Sequence, residues 1–180
     1  MSGVVKGPHV FDASALINLE CVDDACDLLR ALEVRIIAER HAVREVTRSY
    51  RPGRKPLEVL ECAGLLEVVE LDETGYDHFQ QLVGATSPDD LDDGEAGAIA
   101  CAQRLGLGIV LDDGKARRIV GREFPAMRTL FSIELFAAAS SSPGFDEAKV
   151  RNAAAQAVDR ARMRIPPQWR HLIDPGGTRK

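Results

Sequence analysis

Short apolar runs alternate with longer stretches of mixed polarity along this chain. His9-Val10-Phe11-Asp12 is an apolar run closed by an acid, and it predicts a first strand with Asp12 at its tip. A helical stretch opens at Ser14, breaks near Asp23-Asp24 and resumes over residues 25–32. Residues 34–37 predict a second strand, and 39–50 a helix stopped by Arg51-Pro52-Gly53. A helix over 56–63, a third strand over 66–71 and a helix over 73–83 follow. The acidic loop Ser87-Pro88-Asp89-Asp90-Leu91-Asp92-Asp93-Gly94 feeds a helix over 95–105, which Gly106 ends. Residues 109–111 predict a fourth strand, 115–120 a short helix, 128–130 a fifth strand and 132–139 a helix.

Strands alternating with helices imply a parallel sheet covered on both faces. The organisation expected is a domain over 1–139, a Ser-rich linker at 140–145, a helix over 146–165 and a tail over 166–180. The narrow apolar stripe of that last helix is Val150, Ala154, Ala157 and Ala161. Covering the sheet edge is its simplest role. Dimerisation or partner docking is the other reading.

Composition narrows the function. A 45% hydrophobic share in 180 residues supports a buried core, and aromatics at 5% argue against extensive base stacking. A net charge of −5 means that any attraction for nucleic acid must be local. Cys21, Cys26, Cys62 and Cys101 form no C-x-x-C pair and lie near no zinc-spaced histidines, so neither a zinc site nor a disulfide framework is expected. A cytoplasmic location is the default expectation.

The candidate chemistry lies in acids at apolar boundaries. In open parallel sheets ligands bind beyond the carboxyl ends of the strands, where Asp12 and Asp113 both fall. Each acid taken singly is explained as a helix cap. Gathered together they repel one another and call for a cation. Glu95 shares a helix face with Ile99 and Ala102, an unusual place for a carboxylate, although a charge at a helix N-terminus is mildly favourable. Glu45 adjoins Val43, Val46 and Tyr50, and beside it Arg40, Arg44, Arg48 and Arg51 form a basic ridge spanning about 80° of the helix. That ridge is either a solvated face or a track for phosphates.

Read in order, these motifs resemble the PIN-domain family of small metal-dependent nucleases, over about residues 10–139. Asp12 followed by Ser14 looks like the first motif of that family. Glu45 in Ala42-Val43-Arg44-Glu45-Val46 looks like the second, Glu95-Ala96-Gly97-Ala98-Ile99 the third, and Ile109-Val110-Leu111-Asp112-Asp113 the fourth. Asp92-Asp93-Gly94-Glu95-Ala96 together with Asp112-Asp113-Gly114-Lys115-Ala116-Arg117-Arg118 is similar to a prokaryotic subgroup related to VapC-type toxins of toxin–antitoxin pairs. The third acid is Glu rather than the commoner Asp. Leu111 ends the fourth strand, where many members carry Thr or Ser two residues before the acid. Either Asp112 or Asp113 is therefore open as the one facing a metal.

The resemblance implies a three-layer α/β/α sandwich with a central parallel sheet of four or five strands, plus a C-terminal helical extension. It implies a catalytic set of Asp12, Glu45, Glu95 and Asp113. It also implies Mg²⁺ or Mn²⁺ on Asp12, Glu95, Asp113 and Asp112, and RNA as substrate. Ser14, Arg44, Arg48, Lys115 and Arg117 are the expected substrate contacts, Ser14 through a water or a phosphate oxygen. A homodimer and a small antitoxin protein are the expected partners. The competing reading is a PIN fold that binds nucleic acid or regulates without cutting. A phosphatase of the haloacid-dehalogenase type would need a second Asp where Ser14 stands.

Overall fold

The computed structural model describes residues 5–50, 55–84 and 90–173. Five strands form one all-parallel sheet: β1 (Gly7–Phe11), β2 (Val34–Glu39), β3 (Leu66–Val69), β4 (Gly108–Val110) and β5 (Thr129–Leu130), in the order β3-β2-β1-β4-β5. Nine helices accompany them among the described residues: α1 (Ala13–Glu20), α2 (Ala25–Leu32), α3 (Arg40–Ser49), α4 (Glu58–Cys62), α5 (Glu73–Val83), α6 (Asp93–Leu105), α7 (Gly114–Glu123), α8 (Ser132–Ala139) and α9 (Glu147–Ala161).

Strand side chains alternate between two cores, which is why the strands read as continuous apolar runs. Phe11, Ile36, Ala38 and Val110 face one core, shared with α1, α2, α8 and α9. Val10, Ile37, Ile109 and Leu111 face the other, shared with α5, α6 and α7. Each fully buried Ile, Leu or Phe contributes about 1.5–3 kcal/mol of hydrophobic stabilisation. The expected three-layer α/β/α sandwich is the architecture found.

The chain builds β1, β2 and β3 outward on one side, then returns to place β4 and β5 on the other. The direction of strand order therefore reverses between β1 and β4, and a crevice opens at their carboxyl ends. Asp12 follows β1 and Asp112 follows β4, so both stand at this reversal.

Several boundaries differ from the sequence expectation. β2 runs two residues past Ile37, and Glu39 pairs with Val69 of β3 before α3 starts. Pro56 does not open α4: Leu57 sits in the left-handed region (φ 70°), so α4 starts at Glu58. α6 begins at Asp93 rather than Glu95, because Asp92 caps it. Arg51 to Arg54 and residues 85–89 lie outside the described residues, and with them one arginine of the basic ridge and part of the acidic loop.

α9 buries Val150, Ala153, Ala154 and Ala157 in the core shared with α1 and α8; Ala153 takes the place expected for Ala161. Asp23 joins it to the body by accepting from Arg160 Nη1 at 2.6 Å and Gln156 Nε2 at 2.7 Å. Those bonds are exposed and screened by solvent, so the apolar stripe does most of the holding. No helix among the described residues is long and apolar enough to cross a membrane.

Candidate active site

Asp12 is the N-cap of α1 and is 2% exposed. Its Oδ1 accepts from Ala15 N–H at 2.7 Å and its Oδ2 from the Ser14 hydroxyl at 2.8 Å. Burial pushes its carboxyl well above the usual range, and the charges of Asp112 and Glu95 push it further, against the two hydrogen bonds. The capping reading of Asp12 is therefore true but incomplete. A cap alone needs neither deep burial nor two acidic neighbours.

Asp112 is held on three sides. Its Oδ1 accepts from Ser132 N–H at 2.8 Å, and its Oδ2 from the Ser132 hydroxyl at 2.5 Å and Asn18 Nδ2 at 2.7 Å. Burial raises its carboxyl, opposed by those donors and by the charge of Arg117. Asp113, next in sequence, is exposed and caps α7 by accepting from Lys115 and Ala116 N–H, both at 2.8 Å. The two neighbours divide their tasks: Asp112 turns inward toward Asp12, and Asp113 ends as a cap within electrostatic reach of Glu95.

Glu95 occupies the third position of α6 and closes a capping box with Asp92, which accepts from Glu95 N–H at 2.7 Å. Burial pushes the Glu95 carboxyl up to about 7, helped by the charges of Asp92 and Asp113 and opposed by Lys115. Asp12, Glu95 and Asp112 thus come from three separate elements, and the charges of Asp112 and Glu95 both act on Asp12 at the carboxyl ends of β1 and β4.

Glu45 stands apart from this group. Burial raises its carboxyl, and the acid acting on it is Asp92. Its carboxylate lies against Gly94, where any Cβ would collide with Oε2. Together with His41, Arg44, Arg48, Asp92 and Asp93 it lines a groove of about 600 Å³ between α3 and the start of α6.

Four residues of the site carried no signal that the sequence reading used. Asn18 and Ser132, both fully buried polar residues, hold Asp112. A polar side chain inside the apolar run Leu16-Ile17-Asn18-Leu19 is the cue that would have found the first. Glu39 is 1% exposed and accepts from His41 through its backbone N–H and its ring. Gly97 makes room for it, since a Cβ there would lie 2.5 Å from Glu39 Oε2.

A family profile described as a PIN domain matches residues 8–128, more than half of the chain. The chain belongs to the PIN-domain family. No curated protein matches it. PIN domains are in general nucleases that act on nucleic acid, and the fold described above is a nuclease fold. Ser132, which holds Asp112, lies beyond the matched span.

The expected substrate contacts of this PIN domain separate into two groups. Ser14 commits its hydroxyl proton to Asp12. Lys115 Nζ donates to Asp90 O at 2.6 Å, and Arg117 donates to Leu111 O at 3.1 Å while lying 3.5 Å over the Phe131 ring. These three brace the site. On the ridge, Arg40 pairs with Glu70 at 2.7 Å. Arg44 and Arg48 are exposed on the groove and carry no ion pair among the described residues.

PIN nucleases typically use divalent metals. The donor set here fits one in chemistry: hard carboxylate oxygens with spare lone pairs, one buried and two half-buried, each raised by its surroundings. Among the described residues no three Asp, Glu, His or Cys side chains form a ready-made metal-holding group. Mg²⁺ keeps several of its waters, so carboxylates that do not meet directly can share one hydrated ion.

Proposed function

We propose that this PIN domain is a Mg²⁺- or Mn²⁺-dependent endoribonuclease. The observation that supports it best is the buried Asp12 at the strand-order reversal, whose carboxyl the charges of both Asp112 and Glu95 raise. In this reading those three acids hold the ion, and Asp113 and Glu45 stand at the rim. A bound divalent ion would supply an acidified water and charge neutralisation at the phosphate.

The chain's own residues do the remaining work. Asn18 and Ser132 fix the direction of Asp112 before any ion arrives, and Ala15 N–H and Ser14 do the same for Asp12. Such pre-set donors avoid reorganisation during reaction. Glu95, near 7, can take up or release a proton at neutral pH. Arg44 and Arg48 grip the backbone phosphates of RNA laid in the groove.

The finer reading is that of a toxin held by a small antitoxin protein, acting as a homodimer in the cytoplasm. It rests on the likeness of the third and fourth motifs to a prokaryotic PIN subgroup related to VapC-type toxins. The competing reading, binding without cutting, draws on the capping bonds that occupy Glu95 and Asp113.

End-labelled RNAs incubated with the wild type and Asp12→Asn, in Mg²⁺, Mn²⁺ or EDTA, test the proposal. Products are expected only from the wild type with metal. A mobility shift without products supports the binder. Cutting by Asp12→Asn refutes the assigned site. Growth arrest on induction, relieved by a small neighbouring gene, tests the toxin role.

A further inference from the structure

Glu39 and His41 have no part in the metal chemistry above, yet they form a closely arranged polar pair. Among the described residues the side-chain hydrogen bonds to Glu39 come from His41: the backbone N–H at 2.6 Å, and ring Nδ1 at 3.0 and 3.1 Å to its two oxygens. A helix cap requires only the first of these. The ring of His41 also stacks on Phe79, with centroids 4.9 Å apart and planes at 20°. The imidazole is thus fixed along one edge by a buried carboxylate and across one face by a buried aromatic.

A carboxylate only accepts, so Nδ1 carries a proton, and Nε2 is the ring position that keeps a lone pair in the accepting form. Nε2 has no hydrogen-bond partner among the described residues and is not sealed from water. His41 lines the groove beside Arg44 and Arg48. The groove therefore holds two cations, Arg44 and Arg48, three carboxylates, Glu45, Asp92 and Asp93, and one imidazole fixed in direction.

Phosphates are common to RNA and DNA, whereas the ribose 2′-hydroxyl is not. We propose that His41 Nε2 accepts a hydrogen bond from a 2′-hydroxyl of the strand in this groove, so that His41 sets a preference for RNA over DNA. Glu39 is the positioning residue that fixes the accepting form of the ring. The inference rests on the reading of the groove as the nucleic-acid path and deepens it. A site built to hydrogen-bond a hydroxyl rejects the analogue that lacks it.

The test is binding of fluorescein-labelled RNA and DNA 12-mers of one sequence, in EDTA so that no cutting intrudes, followed by anisotropy. The wild type is expected to favour RNA. His41→Phe keeps a ring on Phe79 but has no nitrogen; it is expected to lower RNA affinity about fivefold and leave DNA affinity within about twofold. His41→Gln retains an acceptor and should keep part of the preference. Glu39→Gln should lower the RNA-to-DNA ratio in the same direction, whereas a purely structural role would change stability and leave the ratio alone.

Equal wild-type binding of the two strands, binding of neither, or an undiminished RNA preference in His41→Phe overturns the proposal. Cleavage assays in Mg²⁺ on the same samples report separately on the nuclease reading. A protein that cuts nothing but loses its RNA preference with His41→Phe refutes the nuclease and retains this inference. One that cuts RNA and prefers it equally without His41 does the reverse.

Discussion

Asn18 Nδ2 donates to Asp112 Oδ2 at 2.7 Å, tying the middle of α1 to the carboxyl end of β4 across 94 residues of sequence. Asn18 is buried, and its amide also lies 3.4 Å from the Ser132 hydroxyl. The bond turns a helix that packs the core into a support for the acid opposite Asp12. Asn18→Leu removes a hydrogen bond to a buried charge. The expected loss is about 1–3 kcal/mol of stability, with a larger fall in kcat than rise in KM. Denaturant melts and RNA kinetics on the variant check both.

Asp112 and Asp113 are separable by mutation because their environments differ. Asp112→Asn should abolish cleavage, since it removes the charge that faces Asp12. Asp113→Ser retains a side chain able to cap α7 and should keep activity within about tenfold, with stability changed by about 0.5 kcal/mol or less. Equal loss in both variants would mean that the capping acid is also a ligand.

The pH dependence of the metal-free protein follows from the raised carboxyls. Glu95 titrates near 7 when folded and near 4.5 when unfolded, so the folded state binds more protons between those values. Stability must then fall as pH rises from about 4.5 to 7, and level off above. Asp12 and Asp112 are raised too and act in the same direction. Glu95→Gln keeps the capping box and removes the charge. It should stabilise the metal-free protein at pH 8 by about 1–2 kcal/mol after allowance for partial exposure, and have no effect at pH 4. Thermal melts in EDTA at both pH values measure it.

Gly94 and Gly97 lie on the side of α6 that meets α3, and each leaves space for a carboxylate. Gly97→Ala places a methyl 2.5 Å from Oε2 of the fully buried Glu39 and 3.4 Å from His41 Cβ. The gain in helix propensity of about 1 kcal/mol should be outweighed, for a net destabilisation of about 1–3 kcal/mol. Gly94→Ala displaces only the half-buried tip of Glu45. Its stability should change by less than about 1 kcal/mol while cleavage falls. Melting temperatures and initial rates of the two variants separate these outcomes.

Much of this arrangement is visible in the chain itself, because buried parallel strands leave uninterrupted apolar runs. Val10-Phe11 and Ile109-Val110-Leu111 announce β1 and β4, and the acids that follow them announce the crevice. What could not be read depends on contacts across the fold. Glu39 looks like the start of a helix after an apolar run. Its burial comes from Gly97, 58 positions away, and from pairing with Val69 on β3. The choice between Asp112 and Asp113 is likewise invisible locally, since it is made by Asn18 and Ser132. Arg40, Arg44 and Arg48 look alike in sequence, and the proximity of Glu70 to Arg40 sets it apart from the other two.

The central claim is that Asp12, Glu95 and Asp112 together hold one divalent ion. Mn²⁺ titration followed by electron paramagnetic resonance tests it without reference to any substrate. The wild type is expected to bind Mn²⁺ more tightly at pH 8 than at pH 5, and Asp12→Asn and Asp112→Asn to lose that binding while melting as folded proteins. Absence of binding in the wild type, or unchanged binding in either variant, would contradict the account.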